Sequence, residues 1–494
     1  MKCANKIVMV LSILNIQDII RIFVLILGGS ILIINLNSCS NLIKVDPPIT
    51  SINRDNAFNN DATATAVVTD ILAQLSGGNL SLGGSMGNIF LFGGLAADEI
   101  KLYAVNNSGF NIFYYNSYSA NTDLRFWNST YSLIYSANTV IEGLSSNTKL
   151  TDGVRIQLLG EAKFIRAFCY FYLINLYGDV PLVLTTDVLK NATLERSSVS
   201  MVYSQIFNDL KESQNLLSEN YRSSNVLNST SERVRPNKWA AKALLARAYL
   251  YNSKFDEAEI LATEVIQKSS LFSIDSLDAV FLKNSNECIW QLQNVTSTRG
   301  NTGEGNIFIL PETGPNNDDY PVYLSKFVVN CFESSDQRKT HWIDSLKVDS
   351  NTVYYYPFKY KSGASTPDNM STEYEMVLRL GEQFLIRSEA RAQLGNILGA
   401  REDLNVIRKR AGLVETSAND KEGLLSAILH ERQAELFTEW GHRWFDLKRT
   451  KSIDSVMNVV AVDKGITWNS DFGLWPIYIQ ELFADPKLVQ NPGY

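Results

Sequence analysis

The chain has 494 residues, with 45 Lys+Arg against 52 Asp+Glu and a formal net charge of −7. At ~100–200 residues per domain, this length allows two or three domains or one large one, with ample material for a core. Hydrophobic residues at 45% and charged residues at 20% exclude a disordered or many-times-spanning chain, and the acidic balance argues against nucleic acid as a partner.

From Ile22 to Leu36 the chain reads IFVLILGGSILIINL, preceded by Lys2, Lys6 and Arg21 and followed by Asn37, Ser38 and Cys39. This is the layout of an export leader. It is too short and too Gly-broken for a membrane span of about 20 apolar residues. The stretch Leu36-Asn37-Ser38-Cys39 resembles a lipobox, the bacterial lipoprotein signal whose cysteine becomes the first mature residue and carries lipid. Residues 1–38 are therefore expected to be a signal peptide, Cys39 the lipidation site, and 39–54 an extended tether that Pro47 and Pro48 keep from being helical. Everything after Cys39 would then lie outside the cytoplasm. Cys169, Cys288 and Cys331 have no close spacing, so neither a disulfide framework nor a zinc site is read from them.

Helical periodicity dominates the body. Asp61 is expected to cap a helix carrying Val67, Val68, Ile71, Leu72 and Leu75, stopped by Gly77-Gly78. A second helix begins near Asp123 and carries Leu124, Trp127, Tyr131, Ile134, Asn138 and Ile141. The third, over 153–177, lines up Leu158, Ala162, Ile165, Cys169, Tyr172 and Leu176 before Gly178 and Pro181 end it. A fourth runs near 199–218.

Over 236–268, Ala246, Tyr249, Ser253, Phe255 and Ala258 fall at the small and large positions of a tetratricopeptide helix pair. A second pair over 382–411 puts Ser388, Gly395, Ile397 and Ala400 at the same mutual spacings as Ala246, Ser253, Phe255 and Ala258. The pairs are far apart in the chain, so they predict a scaffold of interrupted helix pairs and not a tandem solenoid. Insertions at 76–122 and 296–325 are rich in Gly, Asn, Ser, Thr and aromatics. They hold short β-like runs at 89–92 and 307–310, and a third such run lies at 353–356. Long loops in a compact protein are uncommon unless functional, so the insertions are the expected binding surface.

Chemistry-bearing motifs are sparse. Glu431, Glu435 and Glu439 recur every four residues with Arg432 and Arg443 nearby, a pattern read as helix pairing. His430-Glu431-Arg432-Gln433-Ala434 starts like a zinc-protease helix, but Ala434 stands where the second histidine is required. His341, His430 and His442 are read as surface or capping residues. Gly84-Ser85-Met86-Gly87 and Gly303-Glu304-Gly305 have no Walker lysine after them. No catalytic residue, metal or cofactor is assigned, and no carboxylate pair is singled out for glycoside hydrolysis.

VDPP stands at 45–48, WNSTYSLIYSANTVIE at 127–142, GEAKFIRAFCYFYLINLYGDVPLVL at 160–184, RPNKWAAKALLARAYLY at 235–251, ERQAELFTEWGHRWFDLKR at 431–449 and QNPGY at 490–494. In combination and order these stretches resemble the SusD/RagB family of outer-membrane nutrient-binding lipoproteins. Asp485-Pro486 stands where that family more often has Asn-Pro. The resemblance implies a mainly α SusD-like fold, with interrupted tetratricopeptide-like pairs and long loop and short-strand insertions. It divides the body into an N-terminal region over 55–300 and a C-terminal region over 301–494. It also implies a lipid-anchored, cell-surface glycan-binding protein of the outer membrane, no enzyme, whose partner is a SusC-like TonB-dependent transporter. A sugar offers C–H faces and hydroxyls, which suit an aromatic platform flanked by polar side chains. Tyr103, Tyr114 and Tyr115 in the first insertion, and Asn316, Asp319, Tyr320 and Tyr323 in the second, supply those groups where the family builds its site. Asp318-Asp319 beside Asn316-Asn317 shows no calcium-loop pattern. The alternative is a tetratricopeptide-type scaffold that binds peptide or protein instead of glycan.

Overall fold

The computed structural model describes residues 56–76, 88–103, 108–293, 302–364 and 372–494, with isolated residues between 15 and 24. Arg54–Tyr494 form one compact unit. Cys39, the tether and Gly77-Gly78 lie outside the described residues. Among those described, no helix is long and apolar enough to cross a membrane.

The first half of the unit runs α1 (Asp61–Leu75), α2 (Ile89–Ala96), β1 (Ile100–Leu102), α3 (Ser108–Tyr114), α4 (Phe126–Leu144), α5 (Asp152–Tyr177), β2 (Val180–Pro181), β3 (Arg196–Ser197), α6 (Val199–Leu216), α7 (Lys238–Tyr251), α8 (Phe255–Ile266) and β4 (Cys288–Leu292). The second half runs α9 (Gly303–Phe308), β5 (Val322–Leu324), β6 (Ile343–Lys347), β7 (Val353–Pro357), β8 (Glu375–Arg379), α10 (Leu380–Gln393), α11 (Ile397–Arg410), α12 (Lys421–Leu436), α13 (His442–Arg449), α14 (Ile453–Lys464) and α15 (Ile479–Ala484). Single helical turns at Val188–Asn191, Lys326–Val329 and Arg338–His341 punctuate the connections. Strands pair antiparallel two by two, β1 with β5, β2 with β3, β4 with β8 and β6 with β7. The fold is mainly α, as the periodicity predicts.

Both tetratricopeptide-like pairs form, as α7–α8 and α10–α11. Their small residues Ala246, Ala258, Ser388 and Ala400 are fully buried, and the Ser388 hydroxyl donates to the Ala400 carbonyl at 2.7 Å. The turn position that the spacing aligns is left-handed in both, with φ of 56° at Ser253 and 83° at Gly395. Glycine enters that region freely, whereas serine is strained there. Although distant in sequence the pairs are neighbours, because α8 packs on α10, where Arg391 meets Glu259 at 2.8 Å.

Helix α5 is the axis of the unit. Its ring Phe168 meets Trp290 of β4 at 5.3 Å and Trp440 at 5.5 Å, both steeply inclined, a geometry that aromatic quadrupoles favour. Arg166 and Glu161 leave the apolar stripe yet are buried, as pairing residues must be. Arg166 grips Asp209 of α6 through two bonds of 2.8 and 2.6 Å and reaches Asn138 of α4 at 2.8 Å. Glu161 accepts from Arg235 at 2.6 Å. Glu435 of α12 accepts from Arg338 and Arg379 at 2.9 and 2.6 Å and also from Arg410, while Glu439 takes Arg379 at 2.8 Å and Lys359 at 2.5 Å. The C-terminal tail is pinned by Arg196, which donates to the Val489 carbonyl and to Asn491 Oδ1, each at 2.6 Å.

Four sequence expectations are corrected. Asn60, not Asp61, caps α1 by accepting from Thr63 N at 3.0 Å; Asp61 already lies in the first turn and accepts from Thr151 N at 2.9 Å. The β-like run Ile89–Phe92 is helical, as the start of α2, whose eight residues are all buried. A wholly apolar stretch carries no period with which to tell helix from strand. Ile307 and Phe308 likewise end helix α9, capped by the Thr302 hydroxyl. His442 is buried at 4% exposure, where burial and surrounding Arg and Lys charges hold its imidazole well below its ordinary value. The run over 353–356 does form a strand, β7.

Candidate functional site

Strands β1 and β5 carry the candidate site because their register sets Lys101 opposite Tyr323. Tyr103 follows β1 and donates its backbone N–H to the Pro321 carbonyl at 2.7 Å, which extends the ladder by one step. Strand β7 brings Tyr354 between them. Its ring centroid lies 5.0 Å from that of Tyr323 and 5.9 Å from that of Tyr103, with planes at 76° and 81°. Tyr103 is 40% exposed, and Tyr323 and Tyr354 are half-buried. The three phenols form a continuous aromatic surface with polar tips, suited to stacking against sugar C–H faces.

Asp463 at the end of α14 anchors this surface. It bridges Lys326 at 2.7 Å and Lys101 at 3.4 Å, and the two ammonium groups help hold its carboxyl below the usual range against the opposing effect of burial. Burial, then the neighbouring Tyr354, Asp463 and Tyr103, push the Tyr323 phenol up to about 12. It therefore stays neutral at physiological pH, able both to donate and to accept a hydrogen bond.

Tyr114 and Tyr115 close α3 with ring centroids 5.0 Å apart. Tyr114 is 5% exposed, and Lys464 Nζ sits 4.9 Å from its ring centroid. Burial raises the pKa of the Tyr114 phenol, with Asp463, Tyr323 and Tyr115 adding to the rise. In the second insertion, Asn316 turns inward on its own loop. Its side-chain oxygen accepts from the backbone N–H groups of Asp318, Asp319 and Tyr320 at 2.9, 2.8 and 3.1 Å, an Asx-type turn. Gly314, at φ 85°, lets that loop lie on β6, since a Cβ there would stand 2.9 Å from Val348 Cγ1. Asp319 is exposed and Tyr320 half-buried next to β5.

The structure thus brings Tyr103 and Tyr323 together around Tyr354, keeps Tyr114 buried with Tyr115 packed against it, and leaves Asn316 as a loop-former with Asp319 and Tyr320 on that loop. Sequence reasoning missed Tyr354, Lys101, Lys326 and Asp463. The Tyr354 signal lay in β7, where alternation sends Tyr354 and Tyr356 to one side and Tyr355 to the other. Nothing local marks Asp463, whose partners lie far away in sequence. Among the described residues, no group of His, Cys, Asp and Glu is placed to hold a metal ion.

Comparison with known proteins gives a consistent answer. A family model described as starch-binding and associating with the outer membrane matches residues 55–250, and the SusD family model matches 337–494. A SusD-like protein of Formosa agariphila is 24% identical over 427 residues, covering 74% of this chain and 79% of its own. A crystal structure of a SusD superfamily protein from Bacteroides vulgatus superposes with a TM-score of 0.74 at 21% identity, covering 88% of this chain and 99% of that one. A laminarin-binding SusD-like protein superposes with a TM-score of 0.71 at 23% identity, again covering 88% and 99%. With both of its halves matched in order and the whole helical body shared, the chain belongs to the SusD/RagB family.

Proposed function

We propose that this protein is a cell-surface lipoprotein of the outer membrane that binds a glycan nutrient on the tyrosine surface and delivers it to a SusC-like TonB-dependent transporter. Residues 1–38 act as the leader, Cys39 carries the lipid, and the body from 55 onward, in N- and C-terminal regions meeting near 300, presents the site. Supporting the binding role are the family membership and the laminarin-binding neighbour with the same fold. The observation that carries it is the three-ring contact of Tyr103, Tyr323 and Tyr354, fixed by strand pairing and by the Lys101–Asp463–Lys326 bridge.

The surface works by complementarity. Edge-to-face packing holds each ring before ligand arrives, so little side-chain freedom is lost on binding. Ring faces take the C–H patches of the sugar, and phenol tips and lysine ammonium groups take its hydroxyls. Affinity electrophoresis of the purified chain through gels containing laminarin, starch, fructan and host-type glycans tests the binding. At least one polymer is expected to retard the protein; free migration through all of them contradicts it. The partner is tested by detergent extraction of native membranes, where a barrel protein should co-purify, and by mass spectrometry, where Cys39 should carry acyl chains.

A further inference from the structure

A second site is built where the C-terminal tail closes over the end of α5. The tail, β3 and α13 enclose a cleft of about 940 Å³, within the range of ligand pockets. Its charges do not balance. Arg449 is met by Glu389 and Asp446, and Lys487 lies 3.6 Å from Glu195 at the rim. Arg196 is fixed on the Tyr177, Asp179 and Val489 carbonyls with Asp179 nearby. Lys448 stands apart. Its ammonium donates to the Asn175 carbonyl, and among the described residues no carboxylate pairs with it. Burial alone pushes its pKa down to about 7, as expected of a lysine lacking a counter-ion. The adjoining wall includes Pro492 and Tyr251, whose buried hydroxyl has no hydrogen-bond partner.

We propose that this cleft is a second ligand site, for a saccharide unit bearing a carboxylate or sulfate group, whose anionic oxygens take the open donors of Lys448. An anion supplies the missing counter-charge, and an ammonium has donors to spare after the Asn175 carbonyl is served. The apolar wall of Pro492, with the unpartnered Tyr251 hydroxyl beside it, suits a sugar ring, which offers both a C–H face and hydroxyls. The rim ammonium of Lys487 draws the anion in. This reading goes beyond the tyrosine surface and does not depend on it.

The test is isothermal titration of the purified full chain with D-glucuronate, glucose 6-sulfate, D-glucose and N-acetylalanine, with a neutral glucose oligomer titrated in parallel to report the tyrosine surface. Glucuronate or glucose 6-sulfate should bind at least tenfold more tightly than glucose. Lys448→Met should weaken that binding at least fivefold, and Lys487→Glu, at an exposed rim position that leaves the fold intact, at least threefold. This outcome is expected whether or not the neutral oligomer binds. Equal affinity for anionic and neutral sugars overturns the site, as does titration unchanged in Lys487→Glu. N-acetylalanine binding as tightly as glucuronate overturns the saccharide assignment.

Discussion

Tyr323 and Tyr354 meet edge to face, with ring centroids 5.0 Å apart and planes at 76°. They lie on strands that belong to different two-stranded sheets. The contact therefore joins the second insertion to the β6–β7 hairpin, and Tyr103 of the first insertion meets Tyr354 as well.

Removing the middle ring should separate binding from folding. For Tyr354→Ala, loss of one aromatic contact predicts ~0.5–1.5 kcal/mol less binding energy, about two- to tenfold in affinity. Because Tyr354 is half-buried on a short strand, the urea midpoint should barely move. Titration and equilibrium denaturation on the same preparation check both.

The bridge beneath the rings should matter more for geometry than for stability. Asp463→Asn leaves Lys101 and Lys326 without their shared carboxylate. These groups are partly exposed, so the stability loss should stay under about 1 kcal/mol. Glycan affinity should still fall, because the lysines no longer hold β1 and the turn after β5 in place, and raised salt should reproduce part of that fall in the native protein.

Glu435→Gln should be severe. Arg338, Arg379 and Arg410 all converge on this buried carboxylate, and removing it takes one anionic partner from each, leaving Asp336, Glu431, Glu287 and Glu439 to balance the buried cations. A loss of about 3–5 kcal/mol is expected in urea denaturation, with no intermediate change in ligand affinity while the protein remains folded.

Stability should also depend on pH in a set direction. Burial pushes the carboxyl of Glu304 up to about 8, and that of Glu99 likewise to about 8, with Asp98 adding to the latter. Both folded values exceed the unfolded ones, so the unfolded chain loses these protons first as pH rises. Their stabilising contribution is complete below about pH 4.5 and is lost progressively up to about pH 8. Neutral, buried His442 works the other way over the lower part of this range, so the check is a comparison: between pH 5 and 8 the thermal midpoint of Glu304→Gln should fall less, or rise more, than that of the native chain.

Much of the scaffold was legible in the sequence because helix stripes and small-residue spacings are local signals. Spacing alone matched Ser253 to Gly395, and the structure makes both positions left-handed. The apolar run at Ile89–Phe92 carried no such period, and the helix it starts packs closely on Gly441, whose Cα would lie 3.0 Å from a Cβ on Gly93. The site was legible by composition but not by geometry. A tyrosine-rich insertion can be seen in a sequence, but the pairing that brings Tyr354 to Tyr323, or Asp463 to Lys101, depends on contacts between distant segments.

Whether the tyrosine surface holds a glycan is decided by paired titrations of the native chain, Tyr354→Ala and Tyr355→Ala. Tyr355 neighbours Tyr354 on β7 but points to the other side of the strand. An oligosaccharide held there should bind the native and Tyr355→Ala chains alike and bind Tyr354→Ala several-fold more weakly. A glycan bound equally by all three, or no glycan bound by the native chain, would contradict it.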